Sequence, residues 1–347
     1  MLLFHNDYNE MCHPDILQCM QGSAEKQMPG YGMDSVCEAA ADLIRRECGN
    51  ENLAVHFLVG GTQTNLTVIA ASLRPHEAVI GADSAHVNVH ETGAIEATGH
   101  KVLSIPSSDG KITVEQIDAI VSEQRFSPDA EHIAKPRLVY ISNPTELGTI
   151  YKRHELEAIS QYCKNNALLL YVDGARLGYG LAAADNDLTL QDLAEMCDAF
   201  YIGGTKVGAM FGEAVVISNP LIADDFRYLI KQKGGMLAKG WLLGIQFHTL
   251  FENGLYFEIS RHAVRLADRI RETLNDLGCE MLVEGSTNQI FVILPNCVLE
   301  KLDGKFTYAY WKKIDEERSA VRFCTSWATK SESVDSLCEA LKRYVSE

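Results

Sequence analysis

The stretch FYIGGTKVGAMFGEAVV, residues 200–216, decides how the rest of the chain is read. It begins and ends like an apolar strand, with a glycine-marked loop between. Lys206 stands in the mouth of the first strand, among Gly203, Gly204 and Gly208, and no carboxylate follows it until Glu213. An amine in such a place is poorly hydrated, which lowers its pKa and makes it a better nucleophile. The two strand patterns lie too close for a crossover helix, so one of them is expected to run antiparallel to its neighbour.

Working outward, short apolar runs alternate with helical patterns. The strand candidates are 54–59, 78–83, 100–105, 137–142, 168–173, 199–204 and 213–218. Several are apolar throughout, as strands covered on both faces are. Between them, Leu66, Ile69, Ala70 and Leu73 keep helical spacing, and Thr113 with Gln116 has the spacing of a capping box. This order predicts an α/β fold with a mostly parallel seven-stranded sheet. After about residue 219 the pattern changes to a long helix ending at Gly278, two strands and a final helix, a smaller α+β domain. We expect an N-terminal segment at 1–20 near the active site, a large domain at 21–245 and a small one at 246–347.

Composition narrows the function. A formal net charge of −16 over 347 residues opposes nucleic-acid and anionic-membrane partners. Ten cysteines show no C-x-x-C pair and read as reduced, small hydrophobes. The start shows no signal peptide, no window reaches the length of a membrane span, and the protein is expected to be cytoplasmic. No metal site is expected.

Ligands of open parallel sheets bind beyond the carboxyl ends of the strands. Three features stand there. Gly60, Gly61, Thr62 and Gln63 join a strand to a helix whose first amides suit a phosphate, although a Gly-Gly turn is as often structural. Asp173 ends an apolar run with Arg176 three residues on; alone, the two read equally as a salt bridge or a cap. Lys206 on its own reads as an ammonium capping carbonyls. Together they meet the needs of pyridoxal phosphate: an amine to bond its aldehyde, a carboxylate for its ring nitrogen and a phosphate cradle. His86, at another strand end, would lie on the ring face.

These residues, with NDY (6–8), PGYG (29–32), GGTQTNL (60–66), VDGARL (172–177), FYIGGTK (200–206), the segment 229–247 and FCTSWAT (323–329), resemble the low-specificity L-threonine aldolase/β-eliminating lyase family, of the aspartate-aminotransferase type (fold type I). The resemblance runs over nearly the whole chain. It implies Lys206 as the covalent anchor of pyridoxal 5'-phosphate and Asp173 as the pyridinium partner. Gly61, Thr62, Gln63 and Thr205 would hold the phosphate, and His86 would stack on the ring. Arg176 and Arg322 would hold the substrate α-carboxylate with Asn6, and Tyr31 would stand at the site entrance from a neighbouring subunit. Two departures stand out. The loop after Asn143 carries Thr145 and Glu146 but no histidine, which leaves His86 as the default base. Leu237 replaces a frequent arginine, with Lys239 as the substitute charge.

The implied reaction is cleavage of a β-hydroxy-α-amino acid such as L-threonine or L-allo-threonine to glycine and an aldehyde. The missing loop histidine keeps β-elimination or transamination of another small amino acid open, and a non-catalytic homologue is opposed by the intact Lys206, Asp173 and Arg176. The resemblance implies a homodimer or homotetramer acting on a small amino acid.

Overall fold

The apolar runs become strands, and the runs that are buried throughout become the centre of a sheet. The computed structural model describes residues 1–346. The chain opens on β1 (Leu2–Leu3), then contributes the main sheet: β2 (Ala54–Leu58), β3 (Glu77–Ala82), β4 (Val102–Ile105), β5 (Lys135–Ser142), β6 (Leu169–Asp173), β7 (Ala199–Gly203) and β8 (Glu213–Ile217). Their spatial order is β2-β8-β7-β6-β5-β3-β4. Neighbours from β7 to β4 pair in parallel. Only β8 opposes its neighbours, pairing antiparallel with both β2 and β7. Glu213, its first residue, therefore lies level with Leu58 and Gly203, the last residues of β2 and β7.

Helices cover both faces, which is why β3, β6, β7 and β8 are buried at every position. The Thr113–Gln116 capping box forms as the spacing predicts and starts the helix Val114–Phe126. A second sheet carries β9 (Met281–Val283), β10 (Gln289–Pro295), β12 (Ala309–Lys313) and β13 (Arg318–Cys324), in the antiparallel order β12-β13-β10-β9, while β11 (Phe306–Thr307) pairs in parallel with β1. Two apolar cores result. The main one reaches Val264, the smaller one begins at Phe4 and Leu266, and the helix Leu255–Asp276 enters both. The helix Trp241–Glu252 packs wholly with the main core through Phe247, Leu250 and Phe251. All ten cysteines are free thiols, seven of them buried. Among the described residues no helix is long and apolar enough to cross a membrane.

Candidate active site

A cleft of about 310 Å³ opens where the carboxyl ends of β2, β5, β6 and β7 meet. It is lined by Gly61, Thr62, His86, Asp173, Arg176, Thr205 and Lys206 from the sequence expectations, joined by Tyr8, Ser142, Glu146, Tyr201 and Glu213.

The carboxylate of Asp173 forms the floor. Its Oδ2 accepts the Tyr140 hydroxyl at 2.6 Å and Asn65 Nδ2 at 3.0 Å; its Oδ1 accepts the Tyr201 hydroxyl at 2.6 Å and the Ala175 amide at 2.9 Å. Burial pushes this carboxyl up, yet the Tyr140, Tyr201 and Ala175 hydrogen bonds, with the His86 imidazole, outweigh it and hold the group below the usual carboxylate range. Burial together with the Asp173 charge raises the Tyr140 and Tyr201 hydroxyls, so they remain donors. A strand-end Asp on a buried sheet thus stays ionised because adjacent strands β5 and β7 each supply a tyrosine.

The network extends to one wall. Asn65 also donates to Glu91 Oε1 at 2.7 Å and accepts the Tyr171 hydroxyl at 2.8 Å. Glu91, whose side chain is fully buried, faces His86 Nδ1 at 2.7 Å. Because a carboxylate only accepts, Nδ1 carries a proton in this pair, and Nε2 makes no hydrogen bond among the described residues. Glu146 Oε1 accepts the His86 amide at 2.9 Å and the Ser142 hydroxyl at 2.6 Å, and burial raises its carboxyl pKa. A carboxyl group, not an imidazole, is what the 143–148 loop brings to the cleft.

Opposite stands Lys206. The Tyr179 hydroxyl donates to its carbonyl at 2.5 Å, but its Nζ makes no hydrogen bond or ion pair among the described residues. Burial lowers its pKa and the Arg176 cation adds to this, against the raising effect of Asp7, Asp173 and Glu213. The glycines around it serve close packing. A Cβ on Gly203 would come within 2.2 Å of the Ala175 carbonyl oxygen, and one on Gly174 within 1.9 Å of the Tyr201 carbonyl oxygen, so the chain at the ends of β6 and β7 lies backbone against backbone.

At the third side, the helix Gly61–Ser72 starts with Gly60 as N-cap and no side-chain cap, which leaves its first amides available to an anion. Gln63 does not join them through its side chain. Its Oε1 accepts the Val59 amide at 3.3 Å and its Nε2 donates to the Lys233 carbonyl at 3.2 Å, tying the turn to the 233–235 loop.

Arg176 enters the cleft already engaged. Asp7 Oδ2 accepts its Nε at 2.7 Å and Oδ1 its Nη2 at 3.0 Å, while Asn288 Nδ2 donates to Oδ2 at 2.9 Å. Burial raises the Asp7 carboxyl, but the Arg176 and Lys206 cations and these bonds bring it down to about 2. Arg322 lies outside the cleft lining, its Nη1 on Gln289 Oε1 at 3.2 Å and its Nη2 on the His5 carbonyl at 2.9 Å, with Nε buried and unpartnered. Asn6 turns its Oδ1 to the Tyr8 amide at 3.1 Å. Tyr31 and Lys239 are exposed and outside the cleft lining, and their segments join where the Tyr31 amide donates to the Ala238 carbonyl at 3.3 Å. Tyr31 borders a second cavity of about 260 Å³ with Arg45, His56 and Arg227.

The sequence marked Glu91 beside His86, and the structure pairs the two; sequence reasoning missed Asp7, Asn65, Tyr140, Tyr201 and the place of Glu213 in the cleft. The tyrosines carried a signal, one on each strand flanking Asp173. Glu213 was hidden because strand ends were searched at their carboxyl side only.

The same architecture occurs in known proteins. A threonine aldolase of Leishmania major superposes with a TM-score of 0.97 at 45% identity, covering 99% of this chain and 100% of that one. The low specificity L-threonine aldolase of Pseudomonas sp. (strain NCIMB 10558) is 30% identical over 98% of this chain and 97% of its own length. A Thermus thermophilus aspartate aminotransferase, at 16% identity and a TM-score of 0.68, shares the fold, that of the fold type I pyridoxal phosphate enzymes. Residues 11–296 match the family model described as beta-eliminating lyase, and the chain belongs to that family.

Proposed function

We propose that the protein is a pyridoxal phosphate-dependent aldolase that cleaves L-threonine or L-allo-threonine to glycine and an aldehyde. The observation that carries this reading is the meeting, in one cleft, of an uncapped helix start, an ionised buried carboxylate and an amine without a partner. Those groups fit the cofactor. Gly61 and Thr62 would take its phosphate, with Gln63 fixing their turn. Asp173 would hold the charge of its ring nitrogen, His86 would lie on its ring and Lys206 would bond its aldehyde. When bound, pyridoxal phosphate supplies an electron sink for the pair released as the Cα–Cβ bond breaks.

The chain's own residues do the rest. Arg176 offers the substrate carboxylate the guanidinium edge that Asp7 leaves open, and Arg322 with Asn6 completes the grip after a rotation away from Gln289. This grip selects which Cα bond stands perpendicular to the ring, and so which bond breaks. His86 Nε2 takes the β-hydroxyl proton while Glu91 steadies the charged ring. A second copy of the chain would bring Tyr31 and Lys239 to the cleft rim, in a homodimer or homotetramer. The N-terminal segment, through Asp7, belongs with the large domain's site, and the small domain begins beyond residue 245. A cytoplasmic enzyme is in keeping with ten free cysteines.

The test is an assay of the purified protein for glycine and acetaldehyde from threonine. Turnover no greater than that of Lys206→Ala would reject the aldolase. Pyruvate and ammonia from serine would point to β-elimination instead.

A further inference from the structure

Glu213 has no part in the roles above, yet it lines the cleft and is almost fully buried. It arrives there because β8 runs against the sheet, so its amino end reaches the edge where the other strands finish. Its carboxylate is clamped onto the two residues preceding Lys206. Oε2 accepts the Gly204 amide at 2.9 Å and Oε1 accepts the Thr205 hydroxyl at 2.9 Å. A buried acid with two neutral donors and no cation within ion-pair distance is costly to keep charged, and Lys206, whose amine has no partner, lines the same cleft one residue beyond the clamp.

We propose that Glu213 is the proton partner of Lys206, the two side chains holding one proton between them across the neutral range. This rests on the reading of Lys206 as the covalent anchor. When the amine must act, the Lys206 ammonium loses one proton and the Glu213 carboxylate gains it, leaving a neutral amine and a neutral acid with no change in the charge of the pair. The new O–H on Oε1 has Thr205 Oγ1 as its acceptor, so that hydrogen bond reverses. Thr205 Oγ1 then accepts from both Glu213 and the Gly212 amide, the latter at 3.0 Å, and its own proton is released to turn towards an anion in the cleft. One proton transfer thus readies both the nucleophile and a phosphate donor.

The surroundings favour such sharing. Burial raises the Glu213 carboxyl to about 7, with Asp173 adding to the rise and Thr205, Lys206 and Gly204 opposing it. Lys206 is pushed down by burial and by Arg176, which Asp7 largely neutralises. His90 and Cys324 also feel the Lys206 charge, and Tyr201 and Tyr256 feel that of Glu213; burial keeps these hydroxyls and the thiol protonated.

The experiment uses the full chain freed of cofactor. Protein is mixed briefly with pyridoxal phosphate at a series of pH values and reduced with borohydride, and the labelled peptide is quantified by mass spectrometry. Label on a lysine other than Lys206 rejects the anchor reading, and the proposal falls with it. With Lys206 labelled, Glu213→Gln removes a negative neighbour, so the amine loses its proton more readily. Its labelling profile is expected to move to lower pH by about one unit and to change from two steps to one. Coincident profiles overturn the proposal, as does a Glu213→Gln protein that labels weakly at every pH with an unmoved midpoint, the mark of a merely structural clamp. Should Glu213→Gln fail to fold, an infrared titration of the protonated-carboxyl band decides. Lys206→Met is expected to raise the titration point of that band, and an unchanged point overturns the proposal.

Discussion

A single buried acid shows what residue chemistry does in this protein. Asp173 is ionised because four donors surround it, and two of those are tyrosines on flanking strands. Tyr201→Phe removes one charge-assisted bond of about 1.5–3 kcal/mol, so we expect cofactor affinity to fall about tenfold or more, read by titrating the visible absorbance of the bound cofactor. Asp7→Asn leaves a buried guanidinium without its counter-charge. It is expected to cost about 3 kcal/mol in urea unfolding and to raise KM for the amino acid more than it lowers kcat. At this scale the sequence was partly legible. Lys206, Asp173 and the Gly60–Gly61 turn were readable because strand ends and an uncapped helix start leave a local pattern. Asp7 was not, since its bond to Arg176 spans 169 positions and nothing local marks it.

Among the elements, strands were the easier inference and loops the harder. Runs such as LLLYVD are apolar on both faces and too short for a buried helix, which leaves a strand covered on both sides. The Thr113–Gln116 box was visible for the same local reason, and Thr113→Ala is expected to cost about 1 kcal/mol in thermal unfolding with activity unchanged. The β7–β8 connection was legible as antiparallel, but its consequence was not drawn from the sequence: reversing one strand carries an acid to the functional edge. Glycines were also ambiguous there, since a ligand and a neighbouring backbone make the same demand. Gly203→Ala forces a Cβ against the Ala175 carbonyl and is expected to cost about 3 kcal/mol, whether or not cofactor is present. Equal destabilisation in both states is the discriminating result; loss confined to the cofactor-bound state would assign Gly203 to ligand approach.

For the molecule as a whole, His56, which is partly buried, and Asp7, which is fully buried, shape the acid limb of stability. His56, on β2 with its ring 5.2 Å from that of Phe226, is pushed down to about 4 by burial, with the Arg227 and Arg45 cations adding to it. The unfolded chain binds a proton there first, so stability is full above about pH 6.5 and is lost as pH falls towards 4. Asp7, lowered to about 2, contributes stability that is present above its ordinary value of 3.8 and disappears as pH falls through 2. In denaturant melts of the protein and of His56→Phe at pH 7, 5 and 3, the His56 loss is expected as a difference between the two that grows as pH falls towards 4, while the Asp7 loss remains in both. Between about pH 4.5 and 7 Glu213 acts in the opposite sense to His56. Its raised pKa withdraws stability as pH rises from about 4.5 through 7, which Glu213→Gln should restore.

The helix Leu255–Asp276 is threaded through both apolar interiors, with Val264 seated in one and Leu266 in the other. It works as a common axle without a joint. The two lobes cannot swing apart like jaws unless that rod bends, so traffic in and out of the cleft falls to side chains such as Tyr8 and to the neighbouring loops. The overall envelope in solution scattering should stay the same whether or not an amino acid is held.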